Sequence, residues 1–167
     1  SGGTTDAARG SRGFTRKEGG VHEWEIKWDA GAGTNSMVGV CTEEQSLQDQ
    51  FCLKDLVGDT SDGWGWKASP GELRHGGEEV GDGRNAKYGK GNVLRMILDM
   101  DKGPLKYEKD GEAQDYFFSG IGPGPVYPVA ATTWHGGCIE IVGCKSTFSS
   151  GGGGGVDGDG EEGAGAK

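Results

Sequence analysis

The residues that could perform acid–base or metal chemistry in this chain are few and scattered. The three histidines, His22, His75 and His135, are too far apart for any standard zinc-ligand spacing. His75 is followed by Glu78 and Glu79, but they lie in a Gly-rich stretch with no rigid element to fix ligand angles. We therefore predict no metal site, with a His75–Glu78 metal centre as the enzymatic alternative, and we interpret His22 as a structural, hydrogen-bonded histidine.

Other catalytic arrangements are not indicated either. Asp99 and Asp101 flank a turn, and nothing nearby would supply the water-poor pocket that raises the pKa of a catalytic acid. Ser69-Pro70-Gly71 is not a nucleophile elbow, and Gly151–Gly155 lacks the Lys and the following helix of a phosphate-binding loop. We predict a protein that is not an enzyme, uses no cofactor and functions by binding.

The charge of the chain argues against two classes of partner. The 167 residues carry a formal net charge of −9, whereas a nucleic-acid surface needs clustered Lys and Arg. One basic cluster, Arg9, Arg12, Arg16 and Lys17, is typical of a solvated segment. No apolar run approaches the roughly 18 residues of a membrane-spanning helix. We expect a cytoplasmic monomer that binds neither nucleic acid nor membranes.

The four cysteines favour free thiols. Cys41, Cys52, Cys138 and Cys144 form no C-x-x-C pair and no regular spacing. Cys41 ends one apolar run and Cys138 begins another, so both are predicted to be small buried side chains. We predict reduced structural thiols.

Short alternating stretches predict β-strands. In Val21–Asp29 the residues His22, Trp24, Ile26 and Trp28 share one face, and charged residues occupy the other. Met37–Cys41 is predicted to be buried on both faces. Further strands are predicted at Trp64 and Trp66, at 92–99, at 105–109 and on both sides of a turn within 126–142. Asp110-Gly111 is a type I′ hairpin signal.

These strands are separated by Gly, Pro and Asp turns, and no long helix is predicted. Residues 43–56 are interpreted as a loop with one short helical turn, and 73–91 as a long exposed connection. About eight short antiparallel strands close most economically as two packed sheets, so we predict an all-β sandwich. Its expected boundaries are a lead-in at 1–13, the domain at 14–146 and a disordered, Gly-rich acidic tail at 147–167.

Several motifs together resemble the SPRY (B30.2-type) domain family, in order and spacing. They are Gly20-Val21-His22-Glu23-Trp24-Glu25-Ile26, Met37-Val38-Gly39-Val40, Trp64-Gly65-Trp66, Leu98-Asp99-Met100-Asp101-Lys102-Gly103-Pro104-Leu105 and Val126-Tyr127-Pro128-Val129. Within that family the chain looks closest to the SPRY domain and SOCS box group. The resemblance implies a bent sandwich that binds a short peptide, of the Asp-Ile-Asn-Asn-Asn type in that group, in a pocket made by loops. It also implies a role in substrate recognition for a ubiquitin ligase.

Carried onto this sequence, the resemblance assigns six residues to the peptide pocket. They are Thr34, Phe51, Thr133, Trp134, His135 and Gly136. Trp134 would be the aromatic anchor, and a preformed pocket would avoid the entropy cost of ordering loops on binding. Two alternatives remain open at this point: Trp134 folds back over the sandwich edge, or the domain is a structural part of a larger assembly without a peptide pocket.

Overall fold

The computed structural model describes residues 5–29, 35–49, 55–133 and 138–149. Within these ranges the chain forms twelve β-strands and no helix. The strands are β1 (Thr5–Arg9), β2 (Val21–Asp29), β3 (Met37–Cys41), β4 (Gln48–Asp49), β5 (Gly63–Lys67), β6 (Leu73–His75), β7 (Glu78–Glu79), β8 (Val93–Asp99), β9 (Leu105–Lys109), β10 (Glu112–Ala113), β11 (Tyr127–Thr132) and β12 (Cys138–Thr147).

The strands form two antiparallel sheets. One has seven strands in the order β4-β1-β11-β3-β5-β6-β7, and the other has five in the order β10-β9-β8-β2-β12. The prediction of an all-β sandwich is therefore confirmed. Neighbours in each sheet are often distant in sequence, as in the pairing of β1 with β11, where Asp6 lies opposite Thr132.

The main core lies between the two sheets and is built from alternate residues of each strand. In β2 the side chains of Trp24, Ile26 and Trp28 are at most 1% exposed, whereas the residues between them face solvent. β8 alternates in the same way, with Leu94 and Met96 buried. Period-two patterning thus directs one face of each strand into the core, because successive strand side chains point to opposite faces.

A second, smaller cluster covers the outer face of the seven-stranded sheet. It joins Met37 and Cys41 of β3 to Leu56 and Val57 of the segment that precedes β5, and to Val129 of β11. All five residues of β3 are buried. The prediction that Met37–Cys41 is buried on both faces is confirmed.

Some expectations for individual segments were wrong. The predicted connection 73–91 contains β6 and β7, which pair with each other and extend the seven-stranded sheet. The expected helical turn in 43–56 is not found in 43–49 or 55–56, the part of that range that the structure describes. Cys138 is exposed rather than buried, because its side chain projects from the outer face of β12.

The turn expected at Asp110-Gly111 is found in the structure. Asp110 and Gly111 both have positive φ, 49° and 85°, and they join β9 to β10. This is the type I′ geometry expected for the Asp-Gly pair. The predicted lead-in 1–13 contains β1, so the sheet includes residues before position 14. Residues 150–167 of the predicted tail lie outside the described residues.

His22 is a buried histidine held by two hydrogen bonds. Its Nε2 lies 2.9 Å from the carbonyl oxygen of Gly19, and its Nδ1 lies 2.8 Å from Oγ of Ser146. Since a carbonyl can only accept, Nε2 carries the proton and Nδ1 accepts from the Ser146 hydroxyl. The ring also stacks on Phe14 at a centroid distance of 4.1 Å. The prediction of a structural histidine is confirmed.

This environment makes folding stability depend on pH. Burial lowers the pKa of His22 below its ordinary value of 6.5, and the charge of Arg12 acts in the same direction, although the Gly19 carbonyl opposes both. The unfolded chain therefore binds a proton at higher pH than the folded chain does. Stability contributed by neutral His22 is complete above pH 6.5 and is lost as the pH falls through the lowered folded-state pKa.

We expect urea unfolding to show a loss of stability between pH 7.5 and about pH 5 that depends on His22. The matched control is His22→Gln, which cannot take up a proton in this range. The difference in unfolding free energy between the two proteins should shrink as the pH falls. A difference that stays constant with pH would show that His22 does not contribute the effect.

Candidate functional site

Six strand ends meet at one end of the sandwich, which we call the loop end. It is defined by Thr5, Asp29, Met37, Asp49, Thr132 and Cys138. Thr5 lies opposite Asp49, and Cys138 lies opposite Asp29. The Ser36 hydroxyl donates to Oγ1 of Thr132 at 3.4 Å. The strand ends that flank 30–34 and 134–137 in the sequence, and the end of β4 before residue 50, thus lie at this end of the sandwich.

The loop end is where the sequence placed the peptide pocket. Thr133, which follows β11 directly, is half-buried there. Thr34, Phe51, Trp134, His135 and Gly136 lie outside the described residues. Their assignment to a pocket stays a prediction, but the strand ends on either side of them converge.

An ion-pair network fixes the chain where it returns from 50–54. The carboxylate of Asp55 lies 2.7 Å from Nζ of Lys67 in β5 and 3.3 Å from Nε of Arg74 in β6. Glu72 faces the same two cations at 3.7 and 3.8 Å and also meets Arg84 at 3.5 Å. Asp55 and Glu72 are each at most 15% exposed, so water screens these charges less than it screens surface pairs.

An acidic cavity of about 180 Å³ lies between residues 44–49 and 56–62, and it reaches the loop end at Asp49. Its lining includes the carboxylates of Glu44, Asp49, Asp59 and Asp62. Asp62 accepts a hydrogen bond from the Thr42 hydroxyl at 3.1 Å. Such a surface favours cationic groups of a partner. The sequence interpretation did not identify this cavity, although the density of acidic residues in 43–62 was the available signal.

The thiol of Cys41, the last residue of β3, is not activated as a nucleophile. Burial raises the pKa of the Cys41 thiol to about 12, against the opposing effect of Arg9. Because the thiolate is the reactive form, Cys41 is inert near neutral pH. Cys41, Cys138 and Cys144 are free thiols, and Cys52 lies outside the described residues.

A SPRY domain model matches residues 21–145, from the first residue of β2 to β12. The chain belongs to the SPRY domain family. SPRY domains are protein-interaction modules, so the strand ends and cavity described above belong to a binding domain.

The similar sequences are longer proteins. The chain is 33% identical over 143 residues to F-box/SPRY domain-containing protein 1 of Drosophila virilis, covering 83% of this chain and 55% of that protein. The Drosophila melanogaster protein of the same name is also 33% identical, with 54% of it covered. The chain thus spans about half the length of these curated relatives. Their names support the SPRY family and not specifically the SPRY domain and SOCS box group.

Solved SPRY structures have the same fold. The SPRY domain of human HERC1 superimposes with a TM-score of 0.62 at 22% identity, covering 84% of this chain and 83% of that one. The TRIM65 PSpry domain gives a TM-score of 0.59 at 20% identity, covering 81% and 67%. At these identities the likeness concerns the fold alone.

Elsewhere in this SPRY domain, His75 and Arg9 are held by structural contacts. The His75 ring stacks on Trp64 at 4.5 Å, and its Nδ1–H donates to the Gly63 carbonyl at 2.7 Å. No group of three His, Cys, Asp or Glu residues is placed to hold a metal ion within the described ranges. Arg9 of the basic cluster donates to the Glu43 carbonyl at 3.0 Å and lies over the Tyr127 ring.

In the part of the chain that the structure describes, no element is a helix long and apolar enough to cross a bilayer.

Proposed function

We propose that this SPRY domain binds a short peptide segment of a partner protein at the loop end. The observation that carries the proposal is the convergence at that end of β2, β3, β11 and β12, the strands that flank Thr34 and Thr133–Gly136 in the sequence. Trp134 serves as the anchor because a buried aromatic contributes most to peptide affinity at a small interface.

A role in a ubiquitin ligase is the second part of the proposal. Its support is the name of the relatives, F-box/SPRY domain-containing protein 1. This chain covers about half the length of those proteins. In that role this domain selects the substrate and another part of the protein connects it to the ligase. The acidic cavity, which reaches the loop end at Asp49, adds a preference for substrates with Lys or Arg close to the bound segment.

Substitution of Trp134 tests the pocket. The full chain is probed with an array of random decapeptides and with a labelled peptide containing Asp-Ile-Asn-Asn-Asn. For peptides that bind, Trp134→Ala should weaken affinity by about 30-fold, the usual loss for an interface hot spot of about 2 kcal/mol. Fluorescence anisotropy provides the dissociation constants.

Phe117→Ala is the matched control. Phe117 is an aromatic residue that is 46% exposed, and it lies near Lys106 of β9, toward the edge of the five-stranded sheet opposite β12. It should leave affinity within twofold. Equal binding by Trp134→Ala and the unsubstituted protein, with both folded, would contradict the pocket assignment. An array without any binder would favour a structural domain in a larger assembly.

A further inference from the structure

The last strand, β12, forms an unusually long free edge. The other three sheet edges, β4, β7 and β10, are two residues long, whereas β12 has ten residues and no proline. Natural proteins shorten or cover sheet edges because unpaired amides and carbonyls invite another strand. In β12 only the bulge between Val142 and Cys144 interrupts the edge. Cys138–Val142, before the bulge, is therefore a regular open strand edge.

The register of the sheet shows which backbone groups are free there. The amide of Trp28 donates to the Asn92 carbonyl, and the carbonyl of Gly20 accepts from Met100, so both residues face β8. Hydrogen bonding alternates along an antiparallel strand, so Lys27 and Asp29 bond in the opposite direction, toward β12. Their partners are Glu140 and Cys138.

It follows that the intervening residues, Ile139 and Ile141, point their amides and carbonyls away from the sheet. No described residue forms a backbone hydrogen bond with either of them on that side. The two amides and the two carbonyls of Ile139 and Ile141 thus form an open hydrogen-bonding ladder along this edge. Such a ladder is the recognition element that edge-binding domains use to capture an extended peptide.

The side chains beside this ladder define what such a peptide contains. Ile139 and Ile141 face inward and are half-buried against the main core, which leaves apolar surface at the opening between the sheets. Glu140 faces outward and is exposed. It lies opposite the exposed Lys27 on β2, and the exposed carboxylates Glu25 and Asp29 lie on either side of Lys27. Within the described ranges Glu140 forms no ion pair. The edge therefore favours apolar residues opposite the isoleucines and a cation opposite Glu140.

A second copy of this chain fits the edge poorly. In an antiparallel pairing of two β12 strands that uses both Ile139 and Ile141, Glu140 lies directly opposite Glu140. Like charges in that position destabilise a strand pair. The net charge of −9 adds to the repulsion between copies and favours a basic partner.

We propose that the edge of β12 at Ile139–Ile141 binds an extended segment of a partner protein with successive apolar, Lys or Arg, and apolar residues, adding it as a sixth strand to the five-stranded sheet. The isoleucines pack against the two apolar residues, and Glu140 pairs with the cation between them. This edge begins at Cys138 of the loop end and runs along β12, and it binds through backbone groups rather than through the side chains proposed for the loop pocket.

Amide hydrogen exchange of the full chain, followed by NMR, tests the edge directly. In the free protein the amide of Glu140 should exchange slowly, because it bonds to β2, and those of Ile139 and Ile141 at least about tenfold faster. Saturation with the probe acetyl-Thr-Val-Lys-Val-Thr-amide should slow the exchange of both isoleucine amides. The same probe with N-methylated valines should give no protection, since it cannot complete the ladder.

Two variants and a charge-reversed probe test the chemistry. Ile141→Pro removes an outward amide without breaking a bond to β2 and should weaken binding about tenfold. Glu140→Lys keeps the ladder but should reverse the preference, so that the probe with Glu in place of Lys binds better than the Lys probe. Phe117→Ala, three strands away from β12, should change neither affinity.

Several results would overturn the proposal. Slow exchange of Ile139 and Ile141 in the free monomer would mean that this chain already covers its own edge. Protection that rises with protein concentration would assign the edge to a second copy. Absence of protection by the Lys probe, or equal affinity for the Lys and Glu probes, would reject the occupant. Because the readout is confined to β12, it is independent of whether the loop pocket binds a peptide.

Discussion

Trp66→Ala is expected to destabilise the domain by about 3–5 kcal/mol, the cost of truncating a fully buried large aromatic residue. Trp66 is 0% exposed. Its ring lies 4.7 Å from the ring of Tyr88 and 5.1 Å from that of Tyr107, so it connects β5 to β9 across the main core. Its carbonyl also accepts the Tyr88 hydroxyl at 2.7 Å. The cavity left by the substitution would therefore open between the two sheets.

Urea unfolding followed by circular dichroism measures this effect, and Trp66→Phe is the matched control. The Trp66 indole Nε1 is buried without a hydrogen-bond partner in the described part of the chain. Loss of that unpaired donor partly offsets the smaller volume of Phe, so the control should cost less than about 1.5 kcal/mol. Equal losses for Ala and Phe would show that the indole nitrogen, and not the filled volume, is what the core requires.

Gly39→Ala should be nearly as damaging, at about 3 kcal/mol or more. Gly39 lies at the centre of β3, opposite Val129 in β11 and Gly65 in β5. A Cβ placed there would overlap the carbonyl oxygen of Trp64, which is backbone and cannot rotate away. The close approach of β3 and β5 would have to open, which would disturb the outer cluster around Met37. The strands that bound the loop end depend on that packing.

The expected fall in melting temperature is roughly 10 °C for a domain of this size. Gly10→Ala is the control, because its Cβ would come no closer than 3.3 Å to Cδ of Pro128, a side-chain atom. That variant should change stability by less than about 1 kcal/mol. If both variants unfold at the same temperature as the original protein, the contact between β3 and β5 is looser than the structure shows.

Local patterning in the sequence predicted the strand with one solvent-exposed face and the strand that is buried on both faces. The alternation in Val21–Asp29 and the apolar run Met37–Cys41 led directly to β2 and β3, because burial of alternate or successive side chains follows from strand geometry. The Asp110-Gly111 turn was equally readable, since both residues accept positive φ. β1 and the β6–β7 hairpin were not predicted, because their small or charged residues carry no hydrophobic period and their pairing depends on distant strands.

By itself, the sequence determined the strand-rich core, the structural role of His22 and, through its motifs, the family. Only the tertiary structure decided that β2, β3, β11 and β12 have ends at the same end of the sandwich, because strand order is set by pairing between residues far apart in the sequence, as in the pair of Val21 with Thr147. It also decided that β12 is an edge strand. Nothing in Ile139-Glu140-Ile141 distinguishes an edge from a central strand, since that difference lies in whether a neighbour is present.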